Sequence, residues 1–485
     1  MQYKSYPSFR FFFIVISLIY VFTPLMNADE REDFDKGNPG SLLSLNSSWV
    51  DSIMNDMTLS EQIGQLFMVA AYSNQSPEHA EHILRLIKKY HIGGLIFFQG
   101  NPHKQAKLTN IYQNYSKIPL MIGMDAEWGL GMRLDSVISY PRQMTLGAIR
   151  DDSLIYRMGV DIAKQLSRLG VHINFAPVVD VNINPRNPVI GSRSFGENRF
   201  NVANKGIAYM NGMQDNCVLA VAKHFPGHGD THTDSHKTLP VIPFDSTRLD
   251  SIELYPFKRM IQHGVGGIMM AHLDIPAFTQ EAGRPATLSR NVVTRLLRKR
   301  LGFDGLVFTD ALNMGGVTKY FSPGTIESQA IKAGNDVLLY PQDVPAAVTE
   351  IKNQVRKGSI SRSSIEESCR RILSFKYWAG LDTISNFGHK NQLLELVDRD
   401  SLIEDLNNPQ YQVLKGKLIE NALTLLKNQS GIVPFKGLDT LQLATLAIGV
   451  GNTTPLQHTI DLYTHAKHYT HQTGDPTDKL IDTLG

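Results

Sequence analysis

Short, almost wholly apolar runs recur along this chain, and amphipathic stretches separate them. The runs lie at 65–69, 94–98, 120–124, 171–175, 218–222, 267–271, 305–309 and 336–340. Between them, segments such as 77–90, 154–169 and 290–301 carry apolar residues at helical spacing. Strands that are apolar on both faces and alternate with helices predict a parallel sheet buried on both sides. Eight such units over about 300 residues fit a (β/α)8 TIM-type barrel, with a doubly wound open sheet as the alternative α/β architecture.

A barrel predicts where chemistry sits, because catalytic residues gather at the C-terminal ends of its strands. Asp125 follows the third run, Lys223 and His224 the fifth, His272 the sixth and Asp310 the seventh. The long loop after the fourth run holds Asp180, Arg186, Arg193 and Arg199. The densest polar stretch, Lys223 to His236, packs four histidines and two aspartates into fourteen residues. Those histidines recur every fourth position, which on a helix would stack them for a metal. Pro226, Gly227 and Gly229 interrupt the run. Proline and glycine disfavour a helix there, so the stretch reads as a loop and the period has no geometric meaning. An amidohydrolase-type metal barrel would want His-x-His after the first strand, and residues 69–74 hold no histidine. No phosphate-cradling glycine motif of the P-loop or dinucleotide type is present. Neither a metal nor a cofactor is expected.

The chain ends read differently. Lys4 and Arg10 precede an apolar run at 11–22, and small and polar residues follow through Asn27, Ala28, Asp29 and Glu30. That pattern predicts a secretory signal peptide over residues 1–28. Twelve residues fall short of the ~20 that a membrane-spanning helix needs. Met26 is a poor residue at the −3 position of a cleavage site, so an uncleaved N-terminal anchor is the alternative. The expected location is periplasmic or extracellular. The barrel is assigned to 45–380 and a polar linker to 381–410. A second α/β domain opens over 411–485 with a helix at 411–426 and a buried strand at 441–450, and no closing pattern follows. Lys and Arg total 48 against 46 Asp and Glu in 485 residues, which gives no basis for nucleic-acid binding. Cys217 and Cys369 fall on separate predicted elements and are expected to be unpaired.

Lys223-His224-Phe225-Pro226-Gly227-His228-Gly229, followed by Asp234-Ser235-His236, resembles the signature loop of the β-N-acetylhexosaminidases of glycoside hydrolase family 3. Val307-Phe308-Thr309-Asp310-Ala311-Leu312-Asn313-Met314 resembles that family's nucleophile segment. Asp125-Ala126-Glu127 with Arg133 resembles its sugar-binding turn, and Gly191-Ser192-Arg193-Ser194-Phe195-Gly196 its arginine loop. Asn421-Ala422-Leu423-Thr424-Leu425-Leu426-Lys427-Asn428 resembles the opening of the second domain that many members carry. One departure stands out: Trp128-Gly129 replaces the Gly-Gly of many members, which bears on pocket width and on the aglycone.

The resemblance implies an exo-acting, retaining hydrolase that releases terminal β-linked N-acetylglucosamine from peptidoglycan or chitin-type fragments. It implies Asp310 as nucleophile, the Asp234–His236 pair as acid/base, and Asp125, Arg133, Arg193, Lys223 and His224 as sugar-binding groups. The chemistry agrees. A retaining glycosidase needs a nucleophile on one face of the anomeric carbon and a proton donor on the leaving-group side. Asp310 suits the first role, with a helix N-cap as the competing reading. An imidazole titrates near neutral pH, and a carboxylate on its other nitrogen fixes its tautomer. For His236 the competing reading is a solvated loop histidine. For the cations it is salt bridging within the barrel top. His272, Asp180 and Arg199 read as supporting residues. A β-N-acetylglucosaminide phosphorylase and a family 3 β-glucosidase are the alternative activities, and a glycan-binding module is the non-catalytic one.

Overall fold

The computed structural model describes residues 39–40, 47–235, 237–319, 321–384 and 396–474. The expected signal peptide at 1–28 and His236 lie outside these residues. The chain forms two compact units, Met1–Ala422 and Leu423–Gly485.

The first unit is the barrel. Its strands are β1 (Phe67–Ala71), β2 (Gly94–Phe97), β3 (Met121–Met124), β4 (Ile173–Asn174), β5 (Leu219–Phe225), β6 (Gly267–Met270), β7 (Leu306–Thr309) and β8 (Leu338–Leu339). Each pairs in parallel with its sequence neighbour from β1 to β7, and β8 pairs with β1. The ring closes where Phe308 bridges Val337 and the Thr309 amide donates to the Val337 carbonyl at 3.0 Å. Every strand residue is buried. This is the predicted (β/α)8 barrel, and all eight predicted strands are present.

Local sequence explains the boundaries. Pro77 opens the helix Pro77–Tyr90, Ile83, Leu86 and Ile87 form its buried stripe, and His91 ends it in a left-handed conformation. The first strand starts two residues later than expected. Thr58 and Glu61 form a capping box that carries the helix Leu59–Gln65 through to Gln65. Asn291–Arg300, expected as an ordinary helix, winds as a π-helix. Glycines open the barrel interior to large rings. A Cβ on Gly123 would lie 2.8 Å from the Phe175 ring, and one on Gly267 would lie 3.2 Å from Phe308. Phe175 and Phe308 then meet edge to face, 5.3 Å apart, in the middle of the barrel.

Residues 396–410 were expected to lie in a linker, but they dock on the barrel. Asn110 exchanges two hydrogen bonds with Val397, at 2.8 and 2.9 Å. Gln165 donates to the Leu406 carbonyl, and Arg168 holds Asp405 and the carbonyls of Asp398 and Asp400. Leu402, Leu406, Leu414 and Leu418 are buried, which makes the helix Pro409–Ala422 part of the barrel unit. Asn407 also clamps the loop after β3, accepting from the Ile138 amide and donating to the Ser136 carbonyl.

The second unit holds two parallel strands, β9 (Leu443–Ile448) and β10 (Ala466–His471), joined through the helix Pro455–Ile460. The strand expected to be buried at 441–450 is half-exposed instead, with partly buried and exposed residues alternating along β9. Cys217 and Cys369 are unpaired.

One buried charge sits under the barrel. Lys376 is fully buried and donates to Gln65 Oε1 at 2.6 Å, and burial pushes its ammonium down to about 7. In the unfolded chain the ordinary value is about 10.4. Between these values the unfolded chain holds more protons, so this residue's contribution to stability rises as pH rises from about 7 toward 10. Urea unfolding at pH 7 and pH 9 should show that rise in the parent protein and lose it in Lys376→Met. An identical pH dependence in the two proteins would contradict the assignment.

Candidate active site

At the C-terminal mouth of the barrel lies a cavity of about 540 Å³. Asp125, Arg133, Arg193, Lys223, His224 and Asp310 all line it. They come from the ends of β3, β5 and β7 and from the loops after β3 and β4; of the residues expected at strand ends, Asp125, Lys223, His224 and Asp310 line the cavity and His272 does not.

The cavity wall is built around one ammonium group. Lys223, within β5, places Nζ 2.8 Å from Asp125 Oδ1 and 2.9 Å from Glu127 Oε1. Arg133 reaches the other oxygen of Asp125 at 2.5 Å. Arg193 grips Glu127 with two bonds, Nη2 to Oε1 at 2.7 Å and Nε to Oε2 at 3.0 Å. Burial alone would raise both carboxyls. The adjacent cations outweigh it, Lys223 and Arg133 for Asp125, Arg193 and Lys223 for Glu127, and both stay below their usual range. Burial likewise disfavours the Arg193 cation, and Glu127 outweighs it and raises that guanidinium.

The backbone under the cluster is braced. Asn174, at the end of β4, accepts from the Ala126 amide and donates to the Ala126 carbonyl. The Tyr209 hydroxyl donates to the carbonyls of Ala126 and Glu127. Phe98 lies beneath the Arg133 guanidinium, 4.8 Å from ring centre to carbon. Arg142 covers Trp128, the residue that departs from Gly-Gly, at 4.5 Å, and Trp128 lines the cavity.

A second network holds the end of β5. The Lys223–His224 and Phe225–Pro226 peptide bonds are cis. Asp180 is fully buried and accepts from His224 Nδ1 at 2.7 Å, from the His224 amide, and from the His228 amide at 2.7 Å. Burial raises the Asp180 carboxyl, but its contacts with His224 and His228 hold it below the ordinary range. His224 Nε2 faces Arg193 Nη2 at 3.4 Å. Arginine has donors alone, so Nε2 is the acceptor and the ring hydrogen sits on Nδ1, toward Asp180.

Asp310 follows β7 directly. Its Oδ1 accepts from the Ala311 amide at 2.7 Å, and its own amide donates to the Met270 carbonyl. The N-cap reading fails, because the next helix begins at Gly315 with Met314 at its cap. His272 is buried and meets the Ala311 carbonyl and Thr287, so it supports the Asp310 loop from beneath.

Asp234 lies in the loop after β5, where its carbonyl accepts from the Lys237 and Thr238 amides. Ser235 lines the cavity. The structure does not bring every sequence candidate to the site. Arg186 is exposed and Arg199 binds the Ser251 carbonyl and lies against the paired Phe200 and Tyr255 rings, and neither lines the cavity. Glu127 was overlooked as a site residue, although it is fully buried and holds two of the site's cations. A second carboxylate two positions beyond Asp125, at a strand end, was the available signal.

Residues 58–375 match the glycosyl hydrolase family 3 N terminal domain. The chain is 32% identical over 399 residues to Beta-hexosaminidase A of Pseudoalteromonas piscicida, covering 76% of this chain and 64% of that protein. It thus spans less than two thirds of that relative's length. It is 33% identical over 306 residues to Beta-hexosaminidase LpqI of Mycobacterium tuberculosis, covering 60% of this chain and 77% of that one. A solved glycoside hydrolase family 3 beta-N-acetylglucosaminidase from a Paenibacillus species superposes with a TM-score of 0.69 at 32% identity, covering 88% of this chain and 82% of that chain. The matched segment contains all eight barrel strands and every residue of the cavity cluster, and the chain belongs to glycosyl hydrolase family 3.

Proposed function

We propose that the protein is an exo-acting, retaining β-N-acetylglucosaminidase that acts on peptidoglycan or chitin-type fragments. The observation that carries this reading is the convergence of Asp310 with Asp125, Arg133, Arg193, Lys223 and His224 on one cavity. The names of the relatives, beta-hexosaminidase and beta-N-acetylglucosaminidase, support the choice of sugar.

In this reading Asp125 accepts hydrogen bonds from the hydroxyls at the non-reducing end of the terminal sugar. Arg133 and Lys223 position that carboxylate, Arg133, Arg193 and Lys223 donate to hydroxyls and the N-acetyl group, and His224 lines the sugar pocket beside Arg193. An Asp310 carboxylate oxygen attacks the anomeric carbon, the bond to the leaving oxygen breaks, and His236 gives its proton to that oxygen. Water then attacks the same carbon and His236 takes the water's proton, which frees Asp310. Asp234 keeps the His236 ring in the useful tautomer. The signal-like pattern at 1–28 supports an envelope or extracellular substrate, and cell fractionation tests the location.

Substrate choice is tested on aryl β-glycosides of N-acetylglucosamine and glucose, with and without inorganic phosphate. The N-acetyl substrate should be strongly preferred by kcat/KM, with turnover independent of phosphate. Equal efficiency on both sugars would contradict the N-acetyl assignment, and a phosphate requirement would make the protein a phosphorylase. Asp310→Ala should lower kcat by a factor on the order of 10⁴, as removal of an essential catalytic group does. Near-normal turnover would remove Asp310 from the nucleophile role. His236→Ala should cost about 10² to 10⁴ on substrates with poor leaving groups, and far less on those that depart without a proton. Equal losses on both substrates would assign His236 another task.

A further inference from the structure

The turn that carries Asp234 is held from two sides. On one side stands His228, whose ring is buried. Its amide donates to Asp180 Oδ1 at 2.7 Å and its carbonyl accepts from Asn187 at 2.8 Å, so its backbone is fixed to the loop after β4. Its Nδ1 meets Thr231 Oγ1 at 2.8 Å and its Nε2 meets Ser235 Oγ at 2.9 Å. Burial pushes the imidazole down to about 4, so the ring is neutral near neutral pH, with one donor and one acceptor. Thr231 Oγ1 already accepts from Asn187 Nδ2 at 3.2 Å. Thr231 Oγ1 also donates to the His228 carbonyl at 3.2 Å, and the two ring nitrogens bridge Thr231 and Ser235.

On the other side stands the loop after β7, which begins with Asp310. A Cβ on Gly316 would lie 2.9 Å from the Ser235 carbonyl oxygen and 3.0 Å from that of Thr238. The turn rests on a position where any side chain would collide with it. Lys319 Nζ completes the seat by donating to the Lys237 carbonyl at 2.7 Å. Ser235 is 2% exposed, between Asp234 and the next residue in the chain, His236.

We infer that His228 is a positioning residue for catalysis: through its hydrogen bond to Ser235 it seats the Asp234–Thr238 turn on Gly316, against the loop that presents Asp310. This rests on the proposed Asp234–His236 acid/base pair. The imidazole fixes Ser235, the neighbour of Asp234, relative to the loop after β7 and transfers no proton itself. Its loss should therefore damage protonation of the leaving group more than attack at the anomeric carbon.

The test compares kcat/KM on N,N′-diacetylchitobiose, whose leaving group needs a proton, with that on the 2,4-dinitrophenyl glycoside of N-acetylglucosamine, whose leaving group does not. His228→Leu and Ser235→Ala should each lose on the order of 10²-fold on the disaccharide and change little on the dinitrophenyl glycoside. Ser235→Ala deletes one hydroxyl and so guards against a folding defect in His228→Leu. Gly316→Ala should give the same selective loss, and His228→Gln, which keeps a hydrogen-bonding group at similar reach, should recover part of it. In a His236→Ala background, His228→Leu should add no further loss, because two residues that act through one step do not add. Equal losses on the two substrates, or full additivity with His236→Ala, would overturn the inference. A His236→Ala variant without leaving-group selectivity would overturn the acid/base reading and this inference with it. Selectivity in His236→Ala but not in His228→Leu would overturn the inference alone.

Discussion

The Lys223 ammonium, set between Asp125 and Glu127, is the interaction on which the barrel mouth depends. Burying charge is costly, and one partner alone seldom offsets the lost hydration. Here each carboxylate meets two cations, since Arg133 completes Asp125 and Arg193 completes Glu127. Three cations and two carboxylates from β3, β5 and the loops after β3 and β4 form one connected set. The set ties three parts of the barrel rim together and fixes donors and acceptors before any sugar arrives. Such fixed groups need little rearrangement during reaction, which is where electrostatic catalysis gains most.

The cluster also divides labour among the acids. Asp125 and Glu127 are committed to cations, and Asp180 to His224 and the His228 amide. Asp310 follows β7, with one oxygen accepting from the neighbouring Ala311 amide. The Asp180 network then continues through His228 to Ser235, so the chain of hydrogen bonds that fixes the cavity wall also reaches the turn bearing Asp234.

Much of this was legible because barrels write their strands as short apolar runs. Phe67–Ala71 and Leu306–Thr309 needed only local pattern, and Pro77–Tyr90 carried both its start signal and its buried stripe. The strand-end rule then placed Asp125, Lys223 and Asp310 without knowledge of any contact. What stayed hidden depends on distant partners. Nothing near Glu127 states that Lys223 and Arg193 will close on it. The polar stretch 396–410 reads as a linker because its anchors, Asn110, Gln165 and Arg168, lie more than two hundred residues earlier. Lys223 and His224 read as the start of a loop, yet β5 runs on to Phe225, which pairs with Met270 of β6 after a register shift beyond Ala222. Leu443–Ile448 has the apolar content of a core strand, but its burial is set by neighbours that its own pattern does not specify.

The central claim is that the braced cluster holds a sugar while Asp310 alone forms the covalent bond to it. Trapping the glycosyl-enzyme tests this most directly. The protein would be incubated with a fluorinated slow substrate based on N-acetylglucosamine, digested, and the labelled peptide identified by mass spectrometry. The account predicts one sugar per chain, attached through Asp310. A label on Asp125, Glu127 or Asp234, or turnover without any covalent adduct, would contradict it.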